Sequence, residues 1–318
     1  MKRCPITYAV LTDNDPKPYS LRGLRLLSPQ LKKLLPLPYS VIEQRHEAIA
    51  RASKISIQGV QLKLSAALNV KKEVFEFVEK GGTYILKPPH DLWEEVPENE
   101  DLTMRLAKLV GIEVPLHGMI YNRDGHLTYF IKRFDRMAKN KKVAVEDFSQ
   151  LSGNERSSKY KSSCEELIKI VEKYCTFPQI ENLKLFERLL FSYLVGNEDM
   201  HLKNFSLIRR KGIVELSPAY DLLNTTLIFK EIKEEIALPI RSKKNKLEGR
   251  DFWGYLGTER FFFSEKILEI TEKKFKDVLE TWKDWIQISF LSPSQKELYR
   301  KILMKRSHIL GLIKADLS

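Results

Sequence analysis

Between Val195 and Asp221 the chain reads VGNEDMHLKNFSLIRRKGIVELSPAYD, with Asp199, then Asn204 five positions later, then Asp221 at the end of a β-patterned stretch. Those residue types suit the transfer of a phosphoryl group from a nucleoside triphosphate. That reaction needs one carboxylate to orient and deprotonate an incoming hydroxyl. It also needs an amide oxygen and a second carboxylate to hold Mg²⁺ against the phosphates. The segment DMHLKN supplies the first carboxylate and the amide. FSLI, a turn at RRKG, IVEL and SPAYD then bring the second carboxylate back in the order this chemistry uses. Loops also gather Asn and Asp for conformational reasons, so the reading depends on what lies upstream.

Upstream, SKISIQGVQLKLSAAL places one glycine, Gly59, between two β-patterned runs, with Ser56, Gln58, Val60 and Gln61 beside it. A glycine there lets backbone N–H groups approach phosphate, although it marks a bulge or a turn equally well. EVFEFVEK, Gly81-Gly82 and TYILKPP predict a hairpin whose second strand ends in Lys87. A lysine at that point is placed to grip the α- and β-phosphates; the ordinary alternative is a strand-end lysine at a solvent edge. PENEDLTMRLAKLVGIEVP predicts a helix with one buried face at Leu102, Leu106, Leu109 and Val110, stopped by Gly111. Glu98, Glu100 or Asp101 could pair with Lys87, and the sequence leaves the three open. HGMIYNRDGHLTYFIKRFDR predicts a second hairpin turning at Asp124-Gly125. Its outgoing strand would pass behind an adenine, with the backbone from Lys132 to Phe134 as the hinge that hydrogen-bonds it.

The rest must position these groups. The opening ITYAVL is β-patterned, and SLRGLRLLSPQLKKLL and VIEQRHEAIARA read as short helices. Residues 137 to 192 read as mostly helical, in VAVEDFSQLSG, CEELIKIVEKYC and ENLKLFERLLFSYLVGN. The last is apolar nearly all round, the mark of a buried central helix that delivers the chain to Asp199. FSEKILEITEKKFKDVLETWKDW and SPSQKELYRKILMKRSHILGLI continue the helical character. The fold class is therefore α+β and bilobal: a β-rich lobe over residues 1–135 and a mainly helical lobe over 136–318.

Composition bounds the function. The 318 residues are 43% hydrophobic and 30% charged, which suits a soluble globular chain. No apolar run is long enough to span a bilayer and the opening residues do not read as a secretory signal, so a membrane role is not expected. Three scattered cysteines without a C-x-x-C pair fit a reducing, cytoplasmic setting and argue against a zinc site or a disulfide framework. A net charge of +12 implies attraction to polyanions or acidic proteins. No zinc-finger, basic-zipper or RNP motif accompanies it, so direct DNA binding is not favoured.

The set SIQGVQLKL, YILKPP, PENEDLTMRLAKLVGI, KRFDR, GNEDMHLKNFSL and SPAYDLL, in that order, resembles the HipA-like serine/threonine kinase toxins, most nearly the short HipT toxins of three-gene HipBST systems. The resemblance implies a protein-kinase-like fold and ATP and Mg²⁺ as cofactors. It assigns Asp199 as catalytic base, Asn204 and Asp221 as Mg²⁺ ligands and Lys87 as the α/β-phosphate contact. The loop of Ser56, Gln58, Gly59, Val60 and Gln61 would cover the nucleotide. His201 stands where many protein kinases have lysine, so the γ-phosphate contact is expected to differ. Lys132 replaces an acidic hinge residue. Ser56 matches an autophosphorylated serine, whose added charge should inhibit. The implied substrate is an aminoacyl-tRNA synthetase, tryptophanyl or glutamyl. The implied partners are a HipB-like DNA-binding antitoxin, which would mediate any operator contact, and a HipS-like protein supplying the N-terminal subdomain that HipA itself carries. Two other classes fit parts of the pattern: a small-molecule phosphotransferase of the aminoglycoside-kinase type, and a nucleotide-binding pseudokinase acting as a binding module.

Overall fold

The computed structural model describes residues 2–51, 61–136, 142–153, 162–229 and 234–314. They form two compact units. One comprises Met1–Leu102, Pro115–Asn140 and Ile288–Leu291; the other comprises Thr103–Val114, Lys141–Gln287 and Ser292–Ser318.

The first unit is built on a five-stranded antiparallel sheet of β1 (Leu64–Asn69), β2 (Val74–Phe77), β3 (Tyr84–Lys87), β4 (His117–Tyr121) and β5 (Leu127–Lys132), in the order β2-β1-β3-β5-β4. The β4–β5 hairpin forms as its Asp124-Gly125 turn predicts, with Tyr121 opposite Leu127. The other expected hairpin does not form. β2 and β3 both pair with β1, on opposite sides of it, so the chain through Gly81-Gly82 crosses the end of β1 instead of turning tightly. Gly82 permits that crossing, because a Cβ there would lie 2.0 Å from Ser65 Oγ and 3.2 Å from the Ala66 backbone. The β-patterned opening ITYAVL also forms no strand beyond a single bridge between Arg3 and Val10. The Cys4 carbonyl instead accepts hydrogen bonds from the Thr7 and Tyr8 N–H groups at 3.2 and 2.8 Å, closing a turn. Helix α1 (Leu21–Leu27) is capped by Ser20, whose hydroxyl accepts the Gly23 N–H. With α2 (Val41–Arg51) it accompanies a core that includes Cys4, Ile6, Leu24, Leu34, Phe75 and Phe130.

Helix α3 (Val96–Leu109) departs from its sequence reading. It is buried all round from Asn99 to Ala107, not on one face. Its polar residues Asn99, Glu100, Asp101 and Thr103 are among the least exposed in the chain. Burial of that kind is tolerable only where each polar group is partnered, and the partners of Glu100 and Asp101 matter below.

The second unit contains a three-stranded antiparallel sheet of β6 (Val145–Asp147), β7 (Ser206–Arg210) and β8 (Ile213–Leu216). Within VAVEDF, read as helical, Val145–Asp147 is instead strand β6. Its Val145 lies opposite Ile208 of β7, and only the four residues of α4 (Phe148–Leu151) that follow are helical. β7 and β8 form the expected hairpin, tightened to a two-residue turn at Lys211-Gly212 with positive φ at both residues. Helices α5 (Cys164–Tyr174), α6 (Pro178–Leu194), α7 (Glu265–Ile288) and α8 (Pro293–Ile309) complete the unit with a π-helical segment, Asp251–Arg260. α6 is the central helix, buried without interruption from Arg188 onward. Phe191 on it meets Trp282 of α7 edge to face at 5.6 Å, and side chains of this size contribute about 1.5–3 kcal/mol each when fully buried. α6 also fixes the exit of β8. Glu181 accepts the Leu216 N–H at 2.9 Å, and the buried Arg188 guanidinium donates to the Ser217 carbonyl.

Candidate active site

The residues singled out in the sequence fall into two groups, one in each unit. In the first unit, Lys87 ends β3 and is 1% exposed. A lysine so buried is costly unless paired, and Glu100 on α3 answers it with Oε1 at 2.5 Å from Nζ. Of the three acids left open, the structure thus selects Glu100. Gln61, expected at the nucleotide, gives its amide to the other oxygen of Glu100 at 3.3 Å. The Tyr129 ring lies 5.6 Å from Lys87 Nζ. Asp101 pairs with His117 Nδ1 at 2.8 Å. Burial raises the Glu98 carboxyl to about 7, and the neighbouring Glu95 and Asp101 charges act in the same direction. At the end of β5, the N–H groups of Lys132 and Arg133 are spent on Leu116 and Thr83 carbonyls, at 2.7 and 2.8 Å. Asp135 beyond Phe134 joins Arg133 and Arg136 in a charged cluster. Ser56, Gln58, Gly59 and Val60 lie outside the described residues.

In the second unit, α6 delivers the chain to Gly196 at φ +76°, where a Cβ would lie 2.8 Å from both Asn224 Oδ1 and Thr226 Oγ1. The loop from Gly196 to Asn204 is then held residue by residue. The Glu198 N–H donates to Thr225 Oγ1 at 2.7 Å. The Glu198 carboxylate accepts from Thr226 at 2.8 Å and from Arg306 of α8 at 2.7 Å. The Asn204 side-chain amide donates to the Asp199 carbonyl at 2.7 Å. The Asp199 side chain is 51% exposed, and buried His201 places Nε2 3.9 Å from its carboxylate. Tyr220 ties the loop to the second carboxylate. Its hydroxyl donates to the Lys203 carbonyl at 2.9 Å and meets Ser206 Oγ at 2.5 Å, and the next residue is Asp221, at φ +53°.

The donor chemistry can be tested against Mg²⁺. Its amide nitrogen spent on the loop, Asn204 offers a carboxamide oxygen, and Asp221 offers a carboxylate. Two hard oxygen donors suit an ion that keeps most of its shell for water and phosphate. Among the described residues no group of three or more His, Cys, Asp and Glu side chains could form a protein-only metal cage. The set fits Mg²⁺ bound with a nucleotide.

Sequence reasoning missed Tyr220, Thr225, Thr226, Arg188, His117 and the Glu198–Arg306 pair. A tyrosine or glutamate just before each key aspartate was the only signal available. For Arg306, 108 residues from its partner, there was none.

The fold places the chain in a protein-kinase-like class. The HipA of Shewanella oneidensis, solved with HipB and operator DNA, superposes with a TM-score of 0.68 at 22% identity over 87% of this chain and 74% of that one. The Helicobacter pylori proinflammatory kinase CtkA gives 0.53 at 14% identity, over 72% of this chain and 88% of its own. Residues 55–285 match the HipA-like C-terminal domain, and the chain belongs to that family. A Haemophilus influenzae protein provisionally named a kinase is 29% identical over 98% of both chains. The serine/threonine-protein kinase toxin HipA of Shewanella oneidensis is 27% identical over 59% of this chain, and the match spans 47% of that protein. Among the described residues no helix is long and apolar enough to cross a membrane.

Proposed function

We propose that this chain is an ATP-dependent serine/threonine protein kinase of the toxin type. The observation that carries the reading is the buried Lys87–Glu100 pair, 2.5 Å long with both side chains almost fully enclosed. A strand-end lysine at a solvent edge would need no such partner, whereas phosphoryl transfer by protein kinases uses a lysine held by a helix glutamate. Lys87 then binds the α- and β-phosphates, with the stretch from Lys132 to Phe134 at the adenine and the loop of Ser56, Gln58, Gly59, Val60 and Gln61 over the nucleotide. Asp199, half exposed, accepts the proton of the incoming serine hydroxyl. As the hydroxyl oxygen bonds to the γ-phosphorus, the bond from that phosphorus to the β–γ bridging oxygen breaks and ADP leaves. His201, with Nε2 3.9 Å from the Asp199 carboxylate, is close enough to influence it through charge when protonated. Asn204 and Asp221 hold Mg²⁺, which when bound neutralises charge on the phosphates.

Family supports the narrower parts of the reading. The protein acts in the cytoplasm on a serine of an aminoacyl-tRNA synthetase, tryptophanyl or glutamyl, and so arrests translation. Ser56 is its autophosphorylation site and off-switch. A HipB-like antitoxin is a partner, a reading supported by the Shewanella HipA having been solved with HipB and operator DNA, and a HipS-like protein is the second partner that the HipT resemblance implies. The sequence features of the short HipT toxins make that subtype the best assignment.

Transfer of labelled γ-phosphate from Mg-ATP into a bacterial lysate, wild type against Asp199→Asn, tests the proposal. A synthetase labelled by the wild type alone is the expected result. Label confined to small molecules would replace it with a metabolite kinase. No transfer to any acceptor, Ser56 included, would replace it with a nucleotide-binding module.

A further inference from the structure

We propose that the Asp101–His117 pair is a second clamp on helix α3, fixing its rotation about its own axis. Asp101 and His117 are then positioning residues for Lys87. The inference rests on the kinase reading of Lys87 for its functional meaning and on geometry alone for the clamp. Glu100 and Asp101 are consecutive and both 0% exposed. On an α-helix adjacent side chains leave about 100° apart, and these two reach different strands. Glu100 bonds Lys87 at the end of β3, and Asp101 bonds His117 at the start of β4.

The sheet register explains how both are reached at once. Lys87 lies opposite Tyr129 on β5, and Tyr129 lies opposite Met119 on β4. Directly opposed residues share a face, and so do residues two apart on a strand. Lys87, Tyr129 and His117 therefore project from the same face of the sheet. The Tyr129 ring lies 5.6 Å from Lys87 Nζ and 6.0 Å from the His117 ring centroid, so the Lys87–Glu100 ion pair and the Asp101–His117 hydrogen bond flank a single aromatic side chain.

One directional bond to the sheet leaves the rotation of a helix's first turns to side-chain packing alone. Anchored by two neighbours that diverge in direction, the helix cannot roll either way without stretching one of them. Rolling would draw Glu100 off Lys87, and Gln61 at 3.3 Å from Glu100 is too weakly placed to hold it there. The second acid is thus a distinct part of the machinery: it touches no phosphate, and its effect passes through Glu100 to Lys87.

The test follows the reactivity of Lys87 in the full chain. Wild type, Asp101→Asn and His117→Phe are treated with an acetylating N-hydroxysuccinimide ester and acetylation at Lys87 is read by mass spectrometry, with Glu100→Gln as the reference for an unheld lysine. Near-UV circular dichroism identifies the folded variants, and His117→Phe, which keeps a ring beside Tyr129, stands in if Asp101→Asn does not fold. The expected result is Lys87 labelling faster by about tenfold in a folded clamp variant, near the Glu100→Gln rate. Wild-type labelling in a folded clamp variant would overturn the proposal. Phosphate transfer gives the second readout. Asp101→Asn should lower kcat by about tenfold or more, and that loss should shrink in a Glu100→Gln background, where Lys87 is already unheld. An equal loss in both backgrounds would mean a general structural role and overturn the proposal. Faster labelling with no transfer by any protein, wild type included, would leave the clamp standing and remove the kinase reading. Transfer by the wild type with unchanged labelling would do the reverse.

Discussion

The two groups of candidate residues, one in each unit, are held by different kinds of force. In the first unit Lys87 is positioned by the opposite charge of Glu100, and Asp101 by a hydrogen bond with His117, all nearly sealed from solvent. In the second unit the carboxylate that does the chemistry is half exposed and is positioned through the backbone. Thr225, Thr226, Asn204 and Tyr220 direct their polar groups at carbonyls, amides or the Glu198 carboxylate. Buried ion pairs contribute little net stability when whole but are costly to break, because one charge is left without a partner in a poor solvent. Backbone-directed hydrogen bonds are individually modest, and losing one shifts a loop without unfolding a domain. The first group should therefore respond to substitution through stability and the second through rate.

Several substitutions break or sharpen that contrast. The largest effect on rate belongs to Asp199→Asn, which should lower kcat by about 10²–10⁴-fold while leaving the melting temperature at the wild-type value. Glu100→Gln should instead cost about 3–5 kcal/mol in urea unfolding, because Lys87 keeps a buried charge with its principal partner gone. Arg306→Met probes an ion pair of the second unit that is also largely enclosed, with Glu198. Glu198 already has its carboxyl pushed up by burial, with Thr226 and Arg306 pulling the other way. Without Arg306 it should take up a proton, so the melting temperature should fall least at acid pH.

Glu98 gives a pH dependence of opposite sense to that of a salt-bridged carboxylate. Its folded value of about 7 lies above the ordinary 4.5. Between those values the folded state binds more protons than the unfolded one, so stability falls as pH rises from about 4.5 to 7. Glu98→Gln should flatten that slope by about 1–3 kcal/mol in urea melts at pH 5 and 8. The smallest effect is expected for Tyr220→Phe. It should cost about 0.5–1.5 kcal/mol and raise the Mg²⁺ concentration needed for half-maximal transfer, because the hydroxyl tying Asp221 to the loop is gone.

Legibility in the sequence followed the range of the interactions. α6, the β4–β5 hairpin and the β7–β8 hairpin were readable because periodicity and turn residues are local. The order of β1, β2 and β3 was not. A glycine pair between two β-patterned runs suggests a hairpin, and only the crossing at Ser65 and Ala66 shows that β1 lies between them. VAVEDF lacked a strand signal because its partner, Ile208, lies some sixty residues on. In the site, Asp199, Asn204, Asp221 and Lys87 stood out by type and order. The choice of Glu100 over its two neighbours was beyond sequence, since all three acids begin one helix and only its rotation selects among them. Tyr220 and Arg306 were hidden for the same reason: a hydroxyl or guanidinium shows its role only once the fold brings a carbonyl or carboxylate to it.

The most direct test of the division between the two groups is the affinity for Mg-ATP, measured calorimetrically on wild type, Lys87→Met and Asp199→Asn. The account predicts that Asp199→Asn binds nucleotide at least as tightly as wild type yet transfers about 10²–10⁴-fold more slowly, while Lys87→Met loses affinity. Equal losses in both variants, or no binding by the wild type, would contradict it.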